Sequence, residues 1–486
     1  MVEMRVLILD EVRDRPSLAA AKALVMSGWT VGIAGAERSL AARSKACAAW
    51  HPIVPPERGD DAFVESVEEV VRSHGYETVL PGYEPAIVAL SARRERLAFP
   101  LGYGAHEGIL AAIDKWRLVS LAQAAGLDVP RTVPASADRL AELDGPVVIK
   151  SASPRDLRVG AAVFTDRTAA LAHADTIMTR GGHPIAQGLL DGRLDAVSLV
   201  AGPDGIVSIA QQVAEQCWPR PVGVTARGRT VPIDSGLRAA IERLLGALGW
   251  QGLAQLQFLV AADGRPRLID FNPRFYGSLA LAVRAGANHP DTWARLTTGR
   301  PVTPSEGRPG ARYQWFSRDL RASLTGSDSI RETVRCLTMC PVAAHTLLSL
   351  RDPVLAPMFL LEQAVRHTSR RVRPRPVDAV ASARLHGVGR VTRCSRASHP
   401  ARAAVARAGR PAHRDEAGNA HLRRPPAGPP PKCTERCAGT GRRRGAEVTC
   451  GSTSSRITRG GTTIPDSATT LRRGFTRSWR TPESAT

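Results

Sequence analysis

The chain has 486 residues, 43% of them hydrophobic, and a net charge of +21. It is longer than one ordinary domain and contains no apolar run of about eighteen residues that would span a membrane. The basic charge looks like that of a nucleic-acid-binding protein, but residues 371–486 carry +17 of it and residues 1–370 only +4. We therefore expect a nearly neutral globular body with a basic tail. The 8 cysteines are scattered and suggest no disulfide framework.

Short apolar strands alternate with helices at the start of the chain. The pattern predicts helices over residues 17–27 and 63–73, and strands over 5–10, 30–35, 53–54 and 78–82. This alternation is typical of a parallel sheet with helices on both faces. No basic segment with a long apolar core precedes the first strand, so we expect a cytoplasmic protein without a signal peptide. No Gly-x-Gly-x-x-Gly follows that strand, and we predict no nicotinamide cofactor.

Two lysines are notable because most positive residues of this chain are arginine. Lys115 begins a predicted helix that runs to about residue 125, and Lys150 ends a predicted strand over residues 145–150. A single lysine at the end of a strand is usually just solvated. Lysine is also a compact point charge that suits a phosphate, and two of them here favour a phosphate site.

The next elements lead to a second sheet. We predict a strand over residues 184–190, a hairpin of residues 196–200 and 206–213, and a helix over 234–248 with one apolar face. A strand over residues 253–260 and a turn at 262–265 precede the stretch 268–278.

In the stretch 268–278, Asp270, Asn272 and Arg274 stand on alternate positions. Side chains two apart in a strand share a face, so these three point the same way, while Ile269 and Phe271 are expected to be buried opposite. Pro273 ends the strand because it has no N–H for the ladder. Acid and amide oxygens suit Mg²⁺, and an arginine neutralises phosphoryl charge. A buried strand with Arg274 paired to Asp270 is the structural alternative.

This stretch resembles the metal-binding strand of the ATP-grasp superfamily, in which an acid and then Asn-Pro-Arg close the nucleotide site. The resemblance implies an α/β and α+β fold: a parallel-sheet domain over residues 1–110 and a two-subdomain ATP-grasp domain over 111–300. A helical extension over residues 301–370 follows. The composition of residues 371–486, rich in Arg, Pro, Gly and Ser, predicts a disordered tail. Members usually carry glutamate where this chain has Asp270, and often glutamate where it has Gln257.

The resemblance also implies the roles of individual residues. Arg274 and Lys150 would be catalytic, and Mg²⁺ (or Mn²⁺) would be held by Gln257, Asp270 and Asn272. ATP would be held at its phosphates by Lys115 and Lys150, with the hinge residues Gln187, Gly188 and Leu189 at the adenine. Asp191 or Asp195 would reach the ribose, and we take Asp195 as the candidate.

The function implied is an EC 6.3-type ligase that joins a small-molecule carboxylate to an amine through an acyl phosphate. Alternatives are bicarbonate activation, as in carbamoyl-phosphate or biotin-carboxylating enzymes, and ATP binding without catalysis. Nucleic-acid binding is expected only through the tail, whose arginine-rich composition is equally that of a misread reading frame.

Overall fold

The computed structural model describes residues 3–11, 15–153, 159–219, 223–325, 329–349 and 352–361. The predicted tail, residues 371–486, lies outside the described residues. Three β-sheets with helices packed against them make up the described part of the chain. None of the helices described is long and apolar enough to cross a membrane.

The first sheet is parallel and has the strand order β3-β2-β1-β4. Its strands are β1 (Met4–Leu9), β2 (Trp29–Gly35), β3 (Ala49–Pro52) and β4 (Thr78–Pro81). The helices of this region are α1 (Arg15–Met26), α2 (Asp60–His74), α3 (Glu84–Ala92) and α4 (His106–Ile113). Every strand pair in the sheet is parallel, which confirms the predicted parallel sheet.

The third strand lies earlier than predicted. We expected it at residues 53–54, but the ladder joins β2 to Ala49–Pro52, and Ile53 only donates its N–H to Gly35 O at 3.2 Å. β3 is an edge strand with one buried residue, so it lacks the continuous apolar run that marks the central strands β1 and β2. The apolar pattern therefore pointed to the residues just beyond it.

The second sheet is antiparallel, with the order β5-β8-β6-β7. Its strands are β5 (Thr132–Pro134), β6 (Val147–Ser151), β7 (Ala162–Phe164) and β8 (Pro184–Gly188). The helices α5 (Lys115–Ala124), α6 (Ala137–Leu140) and α7 (Arg167–Met178) accompany them. This sheet has its own small apolar core, to which Val147, Ile149 and Ile177 contribute.

The third sheet has seven strands in the order β13-β12-β9-β10-β11-β15, with β14 paired to β10. Its strands are β9 (Arg193–Gly202), β10 (Gly205–Trp218), β11 (Val224–Val231), β12 (Gly252–Val260), β13 (Pro266–Asn272), β14 (Ser305–Glu306) and β15 (Arg312–Gln314). The helices are α8 (Ser235–Leu248), α9 (Leu279–Arg284), α10 (His289–Thr297), α11 (Phe316–Thr325) and α12 (Ser329–Met339).

Helix α8 shows how the local sequence sets these elements. The Asp234 side chain caps its first turn by accepting from Leu237 N at 2.7 Å, and Gly249 ends it at a φ of +57°. The predicted apolar face is buried in the structure and consists of Leu237, Ile241, Leu244, Leu245 and Leu248. This face belongs to a core that also includes the first sheet, so the first and third sheets share one apolar interior. The expected domain boundaries at residues 110, 300 and 370 stay predictions.

Candidate active site

The paired strands β12 and β13 form the floor of the candidate site. Asp270 lies directly opposite Gln257, and Asn272 opposite Gln255, so their side chains share one face of the sheet. β13 ends at Asn272, immediately before Pro273, as predicted. The prediction that Ile269 is buried was wrong. The ladder shifts register at this point, and Ile269, at the resulting bulge, is only half-buried.

Two elements outside this sheet bring the lysines to Asp270. Lys115 is the first residue of α5, and its Nζ lies 3.3 Å from Asp270 Oδ1. Lys150 lies in β6, and its Nζ donates to the Ile269 carbonyl at 3.2 Å. The backbone N–H of Lys115 donates to Ala152 O at 2.9 Å, which fixes the start of α5 against the end of β6. Both candidate lysines therefore face the same short segment of β13.

The site has strongly perturbed electrostatics. Burial lowers the pKa of Lys150 to about 8, although Asp270 acts in the opposite direction. Asp270 raises the pKa of Lys115 and outweighs the effect of burial. Burial would raise the pKa of Asp270, but Lys115, Lys150 and Arg274 together lower it. The carboxylate is therefore held ionised among three cations, which leaves the site with excess positive charge for an anion.

Arg274 meets a residue that the sequence reasoning missed. Its Nε lies 3.4 Å from Glu84 Oε1, and Glu84 is the first residue of α3, just after β4. The order of the first sheet reverses between β1 and β4, and ligands of such sheets bind at the carboxyl ends of the strands at this point. The sequence could have indicated Glu84, because it is an acidic residue just after a predicted strand, in Pro81-Gly82-Tyr83-Glu84.

The predicted adenine-contact residues lie where β8 ends. The Gln187 side chain donates to Thr132 Oγ1 at 2.8 Å, and Leu189 N donates to Pro146 O at 2.9 Å. A Cβ placed on Gly188 would meet no atom within 4 Å, so the backbone there is open to a neighbouring group. The structure thus places this segment at the end of an inner strand of the second sheet, with room beside Gly188.

Asp195 is not brought together with the other candidates. It lies opposite Phe258 in β12, whereas Gln257 and Asp270 project from the other face of the same sheet. Both of its carboxylate oxygens accept from the Arg193 guanidinium, at 2.7 and 2.8 Å. The Asp195 carboxylate therefore faces away from the lysines.

The donor set fits one divalent cation held together with a phosphate. Asp270 supplies a carboxylate, and Asn272 and Gln257 supply amide oxygens on the same face. Gln257 donates its amide nitrogen to Gln255 Oε1 at 3.4 Å, which leaves its own oxygen as a possible ligand. No cluster of three or more His, Cys, Asp or Glu that could hold a metal occurs within the described ranges. Mg²⁺ usually takes one or two protein carboxylates plus phosphate, and this set has one.

Comparisons with known proteins agree with this fold. The biotin carboxylase domain of a Hydrogenobacter thermophilus 2-oxoglutarate carboxylase is 15% identical with a TM-score of 0.50, over 63% of this chain and 73% of that one. Rhizobium etli pyruvate carboxylase is 16% identical with a TM-score of 0.50, over 64% and 30%. Bacillus licheniformis L-amino acid ligase is 18% identical with a TM-score of 0.48, over 62% and 75%.

The chain has the ATP-grasp fold, as the resemblance of its sequence predicted. More narrowly, residues 211–318 match the family described as "ATP-grasp in the biosynthetic pathway with Ter operon". This segment is thus similar to an ATP-grasp family, and the fold of the chain is similar to that of the two carboxylases named above. No curated protein matches its sequence.

Proposed function

We propose that the protein is an ATP-dependent ligase that joins a carboxylate to an amine and releases ADP and phosphate. The observation that carries this proposal is the convergence of Lys115 and Lys150, from two different elements, on Asp270 and the adjacent Ile269 carbonyl. Two ammonium groups next to one carboxylate give the site the charge that a nucleotide triphosphate requires. The ATP-grasp fold supports the same reading, and the Hydrogenobacter structure named above was solved with MgADP.

In this proposal the cationic side chains neutralise the phosphates. Lys115 and Lys150 bind phosphoryl oxygens with their ammonium groups, and Arg274 stabilises the charge that develops during transfer. Gln187, Gly188 and Leu189 lie along the adenine, where the open space at Gly188 accommodates a ring. Asp195 is left out of the proposed site, because its carboxylate faces the other side of the sheet.

Asp270, Asn272 and Gln257 would hold Mg²⁺ (or Mn²⁺), which supplies positive charge to the phosphates when it is bound. The contribution of the protein residues to catalysis is to bind and orient the reactants. Phosphoryl transfer needs little covalent chemistry from a protein, since positioning and electrostatic stabilisation supply most of the catalysis.

The proposed chemistry balances without a covalent enzyme intermediate. An oxygen of the substrate carboxylate attacks the γ-phosphorus of ATP, and the bond from that phosphorus to the bridging oxygen of ADP breaks. The nitrogen of the amine attacks the acyl carbon of the resulting acyl phosphate, and the carbon–oxygen bond to phosphate breaks. The nitrogen then loses its proton, and an amide, ADP and phosphate are the products.

A second candidate function is ATP binding without catalysis. One observation favours it: the residue directly opposite Asp270 is Gln257, so this pair of strands supplies one carboxylate at that position and not two. A weaker metal site would preserve binding through the lysines while slowing transfer. The two candidates differ in turnover and not in nucleotide affinity.

The test is nucleotide product analysis on the full chain with MgATP and pools of amino acids, small carboxylates, bicarbonate and amines. ADP and phosphate that appear only with an acceptor pool would support the ligase. AMP and pyrophosphate would contradict the acyl-phosphate route. ATP binding without turnover in any pool would favour the second candidate.

Variants of the full chain assign the activity to this site. We expect Arg274→Ala and Lys150→Ala to abolish turnover while the protein stays folded. Lys45→Ala serves as the matched control, because Lys45 is exposed and lies outside the proposed site. Activity retained in both site variants would overturn the assigned roles.

A further inference from the structure

A half-open cavity of about 60 Å³ lies beside the loop that follows β13. Most of its wall is apolar and includes Trp315, Phe359 and Leu347. Arg15 also lines it, and the lining residues that the structure describes include no Asp or Glu. The cavity therefore combines an apolar interior with a positive charge on one wall.

Among the described residues, no acid neutralises the charge of Arg15. Its guanidinium lies 3.1 Å from the centre of the Trp315 ring, and its Nη1 donates to Tyr313 Oη at 3.4 Å. Arg15 is buried and forms no ion pair with a carboxylate in the described part of the chain. Arg318 lies against the same Trp315 ring at 4.9 Å, and it too has no acidic partner among the described residues. A buried cation without a counter-ion is costly, and an anionic ligand would offset that cost.

Three residues that line this cavity contain buried polar atoms without a hydrogen-bond partner among the described residues. They are Gln314 Oε1, Trp315 Nε1 and Thr346 Oγ1. Gln314 and Thr346 are only 1% and 3% exposed. Leaving such atoms unsatisfied is costly, and three of them belong to residues around this one cavity.

The cavity is connected to the candidate active site through Tyr313. Tyr313 Oη accepts from Arg15 and donates to Gly277 O at 2.9 Å. Gly277 lies three residues after Arg274 in the loop that leaves β13. The charged wall of the cavity thus borders this loop, and the apolar wall formed by Phe359 and Leu360 belongs to the C-terminal segment.

We propose that this cavity binds a small aliphatic carboxylate, with the carboxylate at Arg15 and the hydrocarbon part between Leu347 and Phe359. This inference rests on the proposed function, because it assigns the ligand as the carboxylate that is phosphorylated. The size limits the hydrocarbon part of the ligand: a cavity of about 150 Å³ holds benzene, and a water needs about 10–15 Å³. A volume of about 60 Å³ therefore suits a short branched chain and not an aromatic ring.

The test measures the affinity of the full chain for isovalerate, isoamyl alcohol and phenylacetate by isothermal titration calorimetry. Isovalerate is expected to bind at least about tenfold more tightly than the other two. Ala356→Phe fills the cavity from the last described helical segment and is expected to weaken isovalerate binding by more than about tenfold. Leu361→Phe adds the same ring at an exposed position in that segment that does not line the cavity, and binding should be unchanged.

A second pair of variants tests the charge. Arg15→Gln should abolish the preference for isovalerate over isoamyl alcohol, and Arg15→Lys should restore part of it. Both are compared with the wild type for their unfolding midpoint in urea, so that a loss of structure is recognised. Isovalerate that does not bind, or that binds Ala356→Phe as tightly as the wild type, overturns the proposal.

ADP release separates this proposal from the proposed function. Isovalerate binding that Ala356→Phe removes, without ADP release from any acid, supports the cavity and contradicts the ligase. Acid-dependent ADP release that Ala356→Phe leaves unchanged supports the ligase and overturns the cavity as its carboxylate site.

Discussion

The Lys115 ammonium lies 3.3 Å from the Asp270 carboxylate, and the two side chains are 29% and 31% exposed. The pair joins the start of α5 to the end of β13. All four strands of the second sheet lie between these two elements in the sequence. In the proposed function each partner also binds a ligand, since Lys115 would bind phosphate and Asp270 would bind a cation. The pair therefore has to open when nucleotide and metal enter, and its half-exposed position allows this.

The charge of Asp270 predicts opposite effects on nucleotide binding and on turnover. Without a divalent cation, its carboxylate repels the phosphates and neutralises Lys115, so Asp270→Asn should bind ATP about tenfold more tightly when EDTA is present. With Mg²⁺, the same variant should lose at least about a hundredfold in kcat. Isothermal titration and ADP release measure the two effects. Weaker metal-free binding in Asp270→Asn would contradict the arrangement of charges.

The buried charge of Lys150 is expected to lower the stability of the fold and to strengthen ATP binding. Burial lowers its pKa from 10.5 to about 8, so the folded protein holds this charge at a cost of up to about 3 kcal/mol. Lys150→Met keeps the apolar stem and removes the charge. We expect its free energy of unfolding to rise by about 1–3 kcal/mol, while ATP affinity falls by at least about tenfold. Urea unfolding and ATP titration test this, with the exposed Lys45→Met as control.

Much of this site could be predicted from the sequence because its residues are marked by local patterns. Alternation along β13 placed Asp270 and Asn272 on one face, and the register confirms this. The scarcity of lysine singled out Lys115 and Lys150, which lie at that face. These features depend on spacing within one element and on residue type, which a single sequence shows directly.

The remaining features depend on contacts between distant elements, which no local pattern reports. Glu84 reaches Arg274 only because the first and third sheets share a core. The bulge that leaves Ile269 half-buried arises from pairing with β12 and not from the sequence of β13 itself. The position of Asp195 relative to Gln257 depends on the register of β9 against β12, and the alternation within β9 alone does not decide this.

Glu84 is expected to position Arg274 without contributing to catalysis directly. Its carboxylate lies 3.4 Å from Arg274 Nε and is largely buried. Glu84→Gln keeps the shape and removes the charge, so kcat should fall by about three- to tenfold, while Arg274→Ala abolishes turnover. In the Arg274→Ala background the Glu84 substitution should have no further effect on ATP affinity. The control is Glu65→Gln at an exposed position of α2.

A large loss of ATP affinity in Glu84→Gln alone would instead mean that Glu84 contacts the nucleotide complex. A double-mutant cycle of Glu84→Gln and Arg274→Ala distinguishes these outcomes, because residues in contact show coupling and independent ones add.

The buried side chain of His289 is expected to make the stability of the fold depend on pH. It is fully buried and lies between two serines, with Ser208 Oγ 2.9 Å from Nδ1 and Ser198 Oγ 3.2 Å from Nε2. Burial lowers its pKa to about 3, far below the usual value of 6.5. Between these values the unfolded chain binds a proton that the folded chain does not, so stability falls as the pH is lowered from 6.5 towards 3. The slope contributed by one such group is about 1.4 kcal/mol per pH unit.

His289→Gln keeps a donor and an acceptor for the serines and removes the titration. We expect its free energy of unfolding to be lower than that of the wild type at pH 7, because the packing of the imidazole ring in the core is lost. Between pH 6.5 and 4.5, however, it should decline less steeply than the wild type, by about 1.4 kcal/mol per pH unit. Urea unfolding at pH 4.5, 5.5 and 6.5 measures both slopes, with His183→Gln at an exposed position as control. Equal slopes in wild type and His289→Gln would show that this histidine does not set the acid sensitivity of the fold.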